Sequence, residues 1–293
     1  MSLTRVDLPA RLRGARPLLL DGATGTELER RGVRASLPLW SSHALLEAPE
    51  VLEAIHRDYV AAGAEALTAN TFRTQRRTLA RGGLGERAAE LTARAVEIAR
   101  RAAGPSTLVL GSAPPLEDCY RPDLVPDAAA LEREHAEHAR NLAAAGVDGV
   151  LVETMNSVRE ALAALRAARA AGLCAVASFA CGGAARLLSG EPLADALAAV
   201  LALGPAAVGV NCLPPSAVAP CLPVLAATGV PFGVYANLGA PGASPDEPRS
   251  EACSPRAYAA HAQRWVDAGA RFVGGCCGTT PAHIAAVAAQ LST

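Results

Sequence analysis

Three cysteines offer the clearest chemistry in the chain. Cys276 and Cys277 are adjacent within Gly274-Gly275-Cys276-Cys277-Gly278-Thr279-Thr280, and Cys212 closes the apolar run Val208-Gly209-Val210-Asn211-Cys212. Three thiolates arriving at strand ends suit one tetrahedral zinc per chain, with a fourth position left open for substrate. Two plainer readings compete. Free cysteines often fill gaps in a core, and neighbouring cysteines can join in a vicinal disulfide, although that ring is strained and needs an oxidising compartment.

For Cys212 to meet a pair more than sixty residues downstream, the fold must gather strand ends at one place. Short apolar runs at 17–20, 64–68, 107–111, 149–152, 174–179, 207–210, 231–235 and 270–273 alternate with helical stretches rich in alanine, leucine and arginine. Several of those stretches stop at a glycine, Gly63, Gly146, Gly172 and Gly269, just before the next run. Eight β-α units predict an α/β fold, a single (β/α)8 TIM barrel occupying residues 1–293. A doubly wound open sheet is the alternative, and the unbroken repeat argues against it.

A barrel collects the carboxyl ends of its strands at one rim. There the sequence places Asp21-Gly22-Ala23-Thr24-Gly25-Thr26, Asn70-Thr71-Phe72, Glu153-Thr154, Asn211-Cys212, Asn237 and Cys276-Cys277. Period-two alternation sets Cys212 on the side of Val208 and Val210, and Cys276 on the side of Phe272 and Gly274. A sharp turn after the last strand would then bring the sulfurs together. Asn237, from the strand between them, is a neighbour or a temporary fourth ligand. The stretch 239–255 reads as a long active-site loop.

The bulk numbers narrow the setting. The chain has 293 residues, 51% of them hydrophobic, and a net charge of −1, enough to bury a large core and without a basic field for nucleic acid. Its most apolar stretch, 196–213, is broken by Gly204-Pro205, and the first twenty residues, with several arginines and no uninterrupted apolar segment, lead to the expectation of no secretory signal. A cytoplasmic protein is expected, with no membrane or nucleic-acid partner and with homo-oligomers allowed. Eight irregularly spaced cysteines then imply reduced thiols. His135 and His138, in Glu134-His135-Ala136-Glu137-His138, lack the order of a metalloprotease helix and are expected on a solvated face. The other histidines show no ligand spacing.

Taken together, Asp21-Gly22-Ala23-Thr24-Gly25-Thr26-Glu27-Leu28, Val152-Glu153-Thr154, Gly209-Val210-Asn211-Cys212 and Gly274-Gly275-Cys276-Cys277-Gly278-Thr279-Thr280-Pro281 resemble the homocysteine S-methyltransferase family. The resemblance spans nearly the whole chain. It implies that Cys212, Cys276 and Cys277 bind Zn2+ and that the sulfur of homocysteine takes the open position. There metal coordination would convert a thiol with a pKa of about 8.5 into the attacking thiolate. The amino-acid end needs a carboxylate for its ammonium, a role suited to Asp21 and Glu153. It also needs amide donors for its carboxylate, a role suited to Gly22, Ala23 and Thr24 at a helix start. Asp21 as a helix N-cap and Glu153 as an arginine partner are the structural alternatives. Asn237 is then a hydrogen-bonding support, and Trp40, Phe72 and Tyr120 are candidates for a cation–π wall for a positively charged donor, with core or loop packing the alternative for each.

Betaine-using members carry an aromatic after the strand-four glutamate, where this chain has Thr154. That departure favours a sulfonium donor, S-methylmethionine or S-adenosylmethionine, with methionine as product. A homocysteine-activating subunit of a split cobalamin-dependent methionine synthase and a betaine-type enzyme are the alternatives within the family. Outside it stand a zinc-dependent barrel hydrolase, which usually employs histidine and carboxylate ligands, and a non-catalytic zinc or thiol-binding module. The presence of Asp21 and Glu153 beside the cysteines favours an amino-acid substrate.

Overall fold

Alternating side chains along each strand feed two separate apolar layers. Val109, Val150, Val152, Phe179, Val208, Val210, Val234 and Val273 point outward to the helices, whereas Leu18, Leu20, Leu108, Leu110, Leu151, Val176, Tyr235 and Phe272 fill the interior. The helices answer with one apolar stripe each. In Ala88–Ala102 the buried residues Ala88, Leu91, Thr92, Ala95, Val96, Ile98 and Ala99 follow the 3.6-residue period. Helix Ala128–Ala145 ends on Gly146 in the left-handed conformation, and Gly63, Gly172 and Gly269 take positive φ in the same role.

The computed structural model describes residues 7–238 and 253–292; residues 239–252 of the expected active-site loop lie outside them. The strands are β1 (Leu18–Leu19), β2 (Ala66–Thr68), β3 (Leu108–Ala113), β4 (Gly149–Met155), β5 (Ala175–Phe179), β6 (Ala207–Asn211), β7 (Phe232–Ala236) and β8 (Phe272–Gly275). All pair in parallel, in the order β1-β8-β7-β6-β5-β4-β3-β2. A parallel bridge from Leu20 to Ala66 joins the two ends. The sheet is therefore a (β/α)8 barrel and not an open doubly wound sheet. Among the described residues no helix is long and apolar enough to cross a membrane.

Strands β3, β4, β6, β7 and β8 run past the ends expected from apolarity. The added residues include Ser112, Glu153, Thr154 and Asn211, all buried. A pattern that stops at the first polar residue misses them, because their polar groups find partners inside the barrel mouth.

The opposite end is plugged. Helix Leu8–Arg13 starts at Asp7, whose carboxylate accepts the Ala10 amide at 3.1 Å, and it sends Leu8 and Leu12 into the interior layer. A Cβ on Gly149, at the start of β4, would lie 2.5 Å from Leu8 Cδ2. Glycine makes room there for the plug. Leu8→Ala is expected to cost about 2–5 kcal/mol of unfolding free energy in a denaturant titration; a loss well below that range would mean that the helix does not seal the barrel.

Candidate metal and substrate site at the barrel mouth

Strict alternation would keep Cys212 away from its partners. Val208 and Val210 face the helices while Phe272 faces the interior, so extending both strands regularly would point Cys212 and Cys276 to opposite sides of the sheet. The expected alternation fails at one residue. Cys212 takes φ +58°, a left-handed conformation that costs a non-glycine residue roughly 1–2 kcal/mol. Its sulfur thereby comes within 3.3 Å of Cys276 Sγ. The sulfurs of Cys212, Cys276 and Cys277 all lie within 4.8 Å of one another.

The surrounding backbone holds this arrangement. The Cys276 amide donates to Ala236 O at 2.8 Å, the Leu238 amide to Cys277 O at 2.8 Å, and the Cys212 amide to Tyr235 O at 3.3 Å. Four-coordinate metal–thiolate bonds of about 2.3 Å set the sulfurs about 3.8 Å apart, a spacing the cluster can meet with small side-chain shifts. The neighbouring thiols of Cys276 and Cys277, and then burial, push the Cys212 thiol well above its ordinary range. Three clustered thiolates repel one another, and a cation at their centre removes the cause.

Two buried carboxyls stand on the same rim. Asp21, 2% exposed, accepts the Thr68 amide at 2.7 Å and the Thr68 hydroxyl at 2.9 Å. Burial pushes its pKa up to about 7 against those two bonds. It does not cap the following helix, Gly25–Arg30, whose N-cap is Thr24. Glu153, 6% exposed, accepts the Ser112 hydroxyl. Burial raises it to about 7 as well, against the Ser112 bond and with the charge of Asp21 adding to the rise. No arginine pairs with Glu153 among the described residues.

The glycine turn is bound to the double-cysteine loop. Ala23 donates its amide to Thr279 Oγ1 at 3.2 Å, Tyr59 donates its hydroxyl to Ala23 O at 2.8 Å, and Gly278 donates its amide to Thr26 Oγ1 at 2.9 Å. A Cβ on Gly22 would sit 2.8 Å from both Thr279 Oγ1 and the Tyr59 hydroxyl, so only glycine fits. The Ala23 amide is thus committed inside the protein, which leaves anion binding by this turn to its neighbours.

Trp40 and Phe72 meet edge to face, with centroids 6.2 Å apart and planes at 75°. Arg73 already lies 5.4 Å from the Phe72 centroid. Tyr120 places its hydroxyl 3.0 Å from Cys212 Sγ. Asn237 is buried, donates its amide to Leu213 O at 3.0 Å, and has no partner for Oδ1 among the described residues.

Sequence reasoning placed Asn211 and Thr154 at the rim but gave them no role, and it missed the other members of the polar shell, Thr68, Ser112 and Ser178. Its signal was a polar residue interrupting an apolar strand, as Ser112 interrupts β3. The expected solvated face at His135 and His138 is corrected here, since each is only 2% exposed. His138 Nε2 bonds Ser112 O at 3.0 Å, and His135 Nε2 lies 3.3 Å from Glu160 Oε1. Helix Ala128–Ala145 turns these two histidines inward because each meets a buried polar partner, the Ser112 carbonyl of β3 for His138 and the side chain of Glu160, on helix Val158–Ala170, for His135.

Known proteins share this architecture and its sequence. A homocysteine S-methyltransferase of Escherichia coli (strain K12) is 36% identical over 302 residues, covering 93% of this chain and 94% of that protein. A methionine synthase of Mycobacterium tuberculosis (strain ATCC 25618 / H37Rv) is 31% identical across 94% of this chain but 25% of its own length. The crystal structure of the homocysteine methyltransferase MmuM from Escherichia coli, in its metallated form, matches with a TM-score of 0.85 at 32% identity, covering 97% of this chain and 100% of that one. The family model described as homocysteine S-methyltransferase matches residues 18–291, and the chain belongs to that family.

Proposed function

We propose that this chain transfers a methyl group from a sulfonium donor, S-methylmethionine or S-adenosylmethionine, to the sulfur of L-homocysteine, giving methionine. The observation that carries the reading is the cluster of three cysteine sulfurs within 4.8 Å of one another, on the same rim as the buried carboxyls of Asp21 and Glu153. Cys212, Cys276 and Cys277 would hold one Zn2+, which when bound keeps the acceptor sulfur as a nucleophilic thiolate at neutral pH.

The chain's own residues supply binding and alignment. Asp21 and Glu153 pair with the acceptor's ammonium, and the amides of the Gly22-Ala23-Thr24-Gly25 turn that remain uncommitted meet its carboxylate. Asn237 offers Oδ1, which has no partner among the described residues, as a further acceptor. Trp40 and Phe72 present ring faces and edges suited to a sulfonium. Transfer is an in-line displacement: the new sulfur–carbon bond forms as the donor's sulfur–methyl bond breaks, and the donor leaves as a neutral thioether. Holding both sulfurs in line lowers the barrier by positioning, and no protein base is required.

The direct test offers homocysteine and the zinc-loaded protein S-methylmethionine, S-adenosylmethionine, betaine or methylcobalamin, each alone. Methionine is expected with a sulfonium; methionine only with betaine or methylcobalamin would overturn the donor assignment. Cys212→Ala is expected to lose zinc and activity together while its melting remains cooperative.

The raised carboxyls set a pH dependence. Below about 7 both Asp21 and Glu153 take up protons in the free protein, and a neutral carboxyl cannot pair with an ammonium. Binding of methionine, which has no thiol to titrate, should therefore weaken as pH falls through 7 and level off above it, as read by calorimetry. A pH-independent affinity between 5 and 8 would contradict the role of these two residues.

A further inference from the structure

We infer that Asn211 is a positioning residue that locks the metal half and the amino-acid half of the site into one geometry; the inference rests on reading Cys212 as a metal ligand and Glu153 as an ammonium partner. Two non-glycine residues at the rim, Thr154 and Cys212, share φ +58°. Each follows at once a residue with a polar side chain buried in the barrel, Glu153 or Asn211. Left-handed backbone disfavours such residues by roughly tenfold each, so both must be held in place.

One carboxamide does this for Thr154. Asn211 Oδ1 accepts the Thr154 amide at 2.9 Å and the Ser178 hydroxyl at 2.8 Å, while Asn211 Nδ2 donates to Thr154 Oγ1 at 2.8 Å. Asn211, Thr154 and Ser178 are all buried. Strand β5 lies between β4 and β6, so the side chain ties three strands together. The tie falls where the register slips: Val152 pairs with Ala177 and Met155 with Phe179, leaving Glu153 and Thr154 opposite Ser178 alone. Such a bulge re-aims the side chains on it, and here it carries Glu153. A carboxamide offers, from one planar group, an acceptor for the N–H and a separate donor for the hydroxyl.

The same residue precedes Cys212 in the chain. Movement of Asn211 therefore displaces the metal cysteine directly and Glu153 through Thr154. The two halves of the site are coupled through one side chain, although Asn211 itself need touch neither ligand.

The test compares wild type, Asn211→Ala, Asn211→Ala/Thr154→Gly and Thr154→Val. Zinc affinity is read by competition with a chromophoric chelator, and homocysteine affinity by calorimetry on zinc-loaded protein. Asn211→Ala should lower both by about tenfold or more, the scale expected when a buried amide loses its acceptor. Glycine at 154 adopts positive φ freely, so the double variant should regain homocysteine affinity without regaining zinc affinity. A general loss of stability would not be repaired by adding a glycine. Thr154→Val keeps the backbone donor and loses only Oγ1; it should weaken homocysteine several-fold, and if Asn211→Ala does not fold, an unchanged homocysteine affinity in Thr154→Val overturns the inference. Unchanged affinities, loss of one without the other in Asn211→Ala, or no rescue by glycine would overturn the coupling. Wild-type protein that takes up no zinc would instead overturn the metal reading, and this inference with it.

Discussion

The site depends on a conflict between strand geometry and metal geometry. Parallel strands send alternate side chains to opposite faces, and the residues in phase with Cys212, Val208 and Val210, face the helices while Phe272, in phase with Cys276, faces the interior. A three-sulfur cluster nevertheless needs both thiols on one side. The chain resolves the conflict with a left-handed residue at Cys212, accepting local strain of the kind that persists only where the surroundings over-determine it. Those surroundings are the Asn211 bonds, the amide bonds to β7 and the clamp between the first and last loops of the barrel.

That clamp explains why the first and last motifs belong together. Tyr59, from helix Pro49–Ala61, bonds Ala23 O at 2.8 Å and Thr279 O at 3.3 Å, and Gly275 donates its amide to Asp21 O at 2.9 Å. The carboxylate proposed for the acceptor's ammonium and the cysteines proposed for its metal are thus fixed to the same few backbone atoms. A substrate gripped at both its sulfur and its amino-acid end is held in one orientation, which is what an in-line transfer demands.

Burial gives the two carboxyls a second property. Asp21 and Glu153 lie in a polar layer of hydroxyls and not among charged partners, so desolvation outweighs hydrogen bonding and raises both. On the proposed reading, an ammonium beside them would offset that desolvation, and a metal held by the cysteine cluster would act there in the same way.

Much of this was legible in the sequence because it resided in residue type. Adjacent cysteines, acidic residues at strand ends and eight repeating units are visible without coordinates, and they led to the barrel and to the rim. What escaped was conformational. Nothing in the letters of Asn211-Cys212 announces a left-handed cysteine, and the alternation rule placed that sulfur on the wrong face. The polar lining formed by Ser112, Ser178 and Thr68 looked like scattered hydroxyls in apolar runs. His135 and His138 read as surface because amphipathicity assigns polar residues to solvent, whereas each has a buried polar partner, Glu160 and the Ser112 carbonyl. The central claim is most directly tested by X-ray absorption at the zinc edge of the loaded protein, without and with homocysteine. Three sulfurs and one lighter atom, becoming four sulfurs on addition of homocysteine, are predicted. A first shell dominated by nitrogen and oxygen, or one that homocysteine leaves unchanged, would contradict the account.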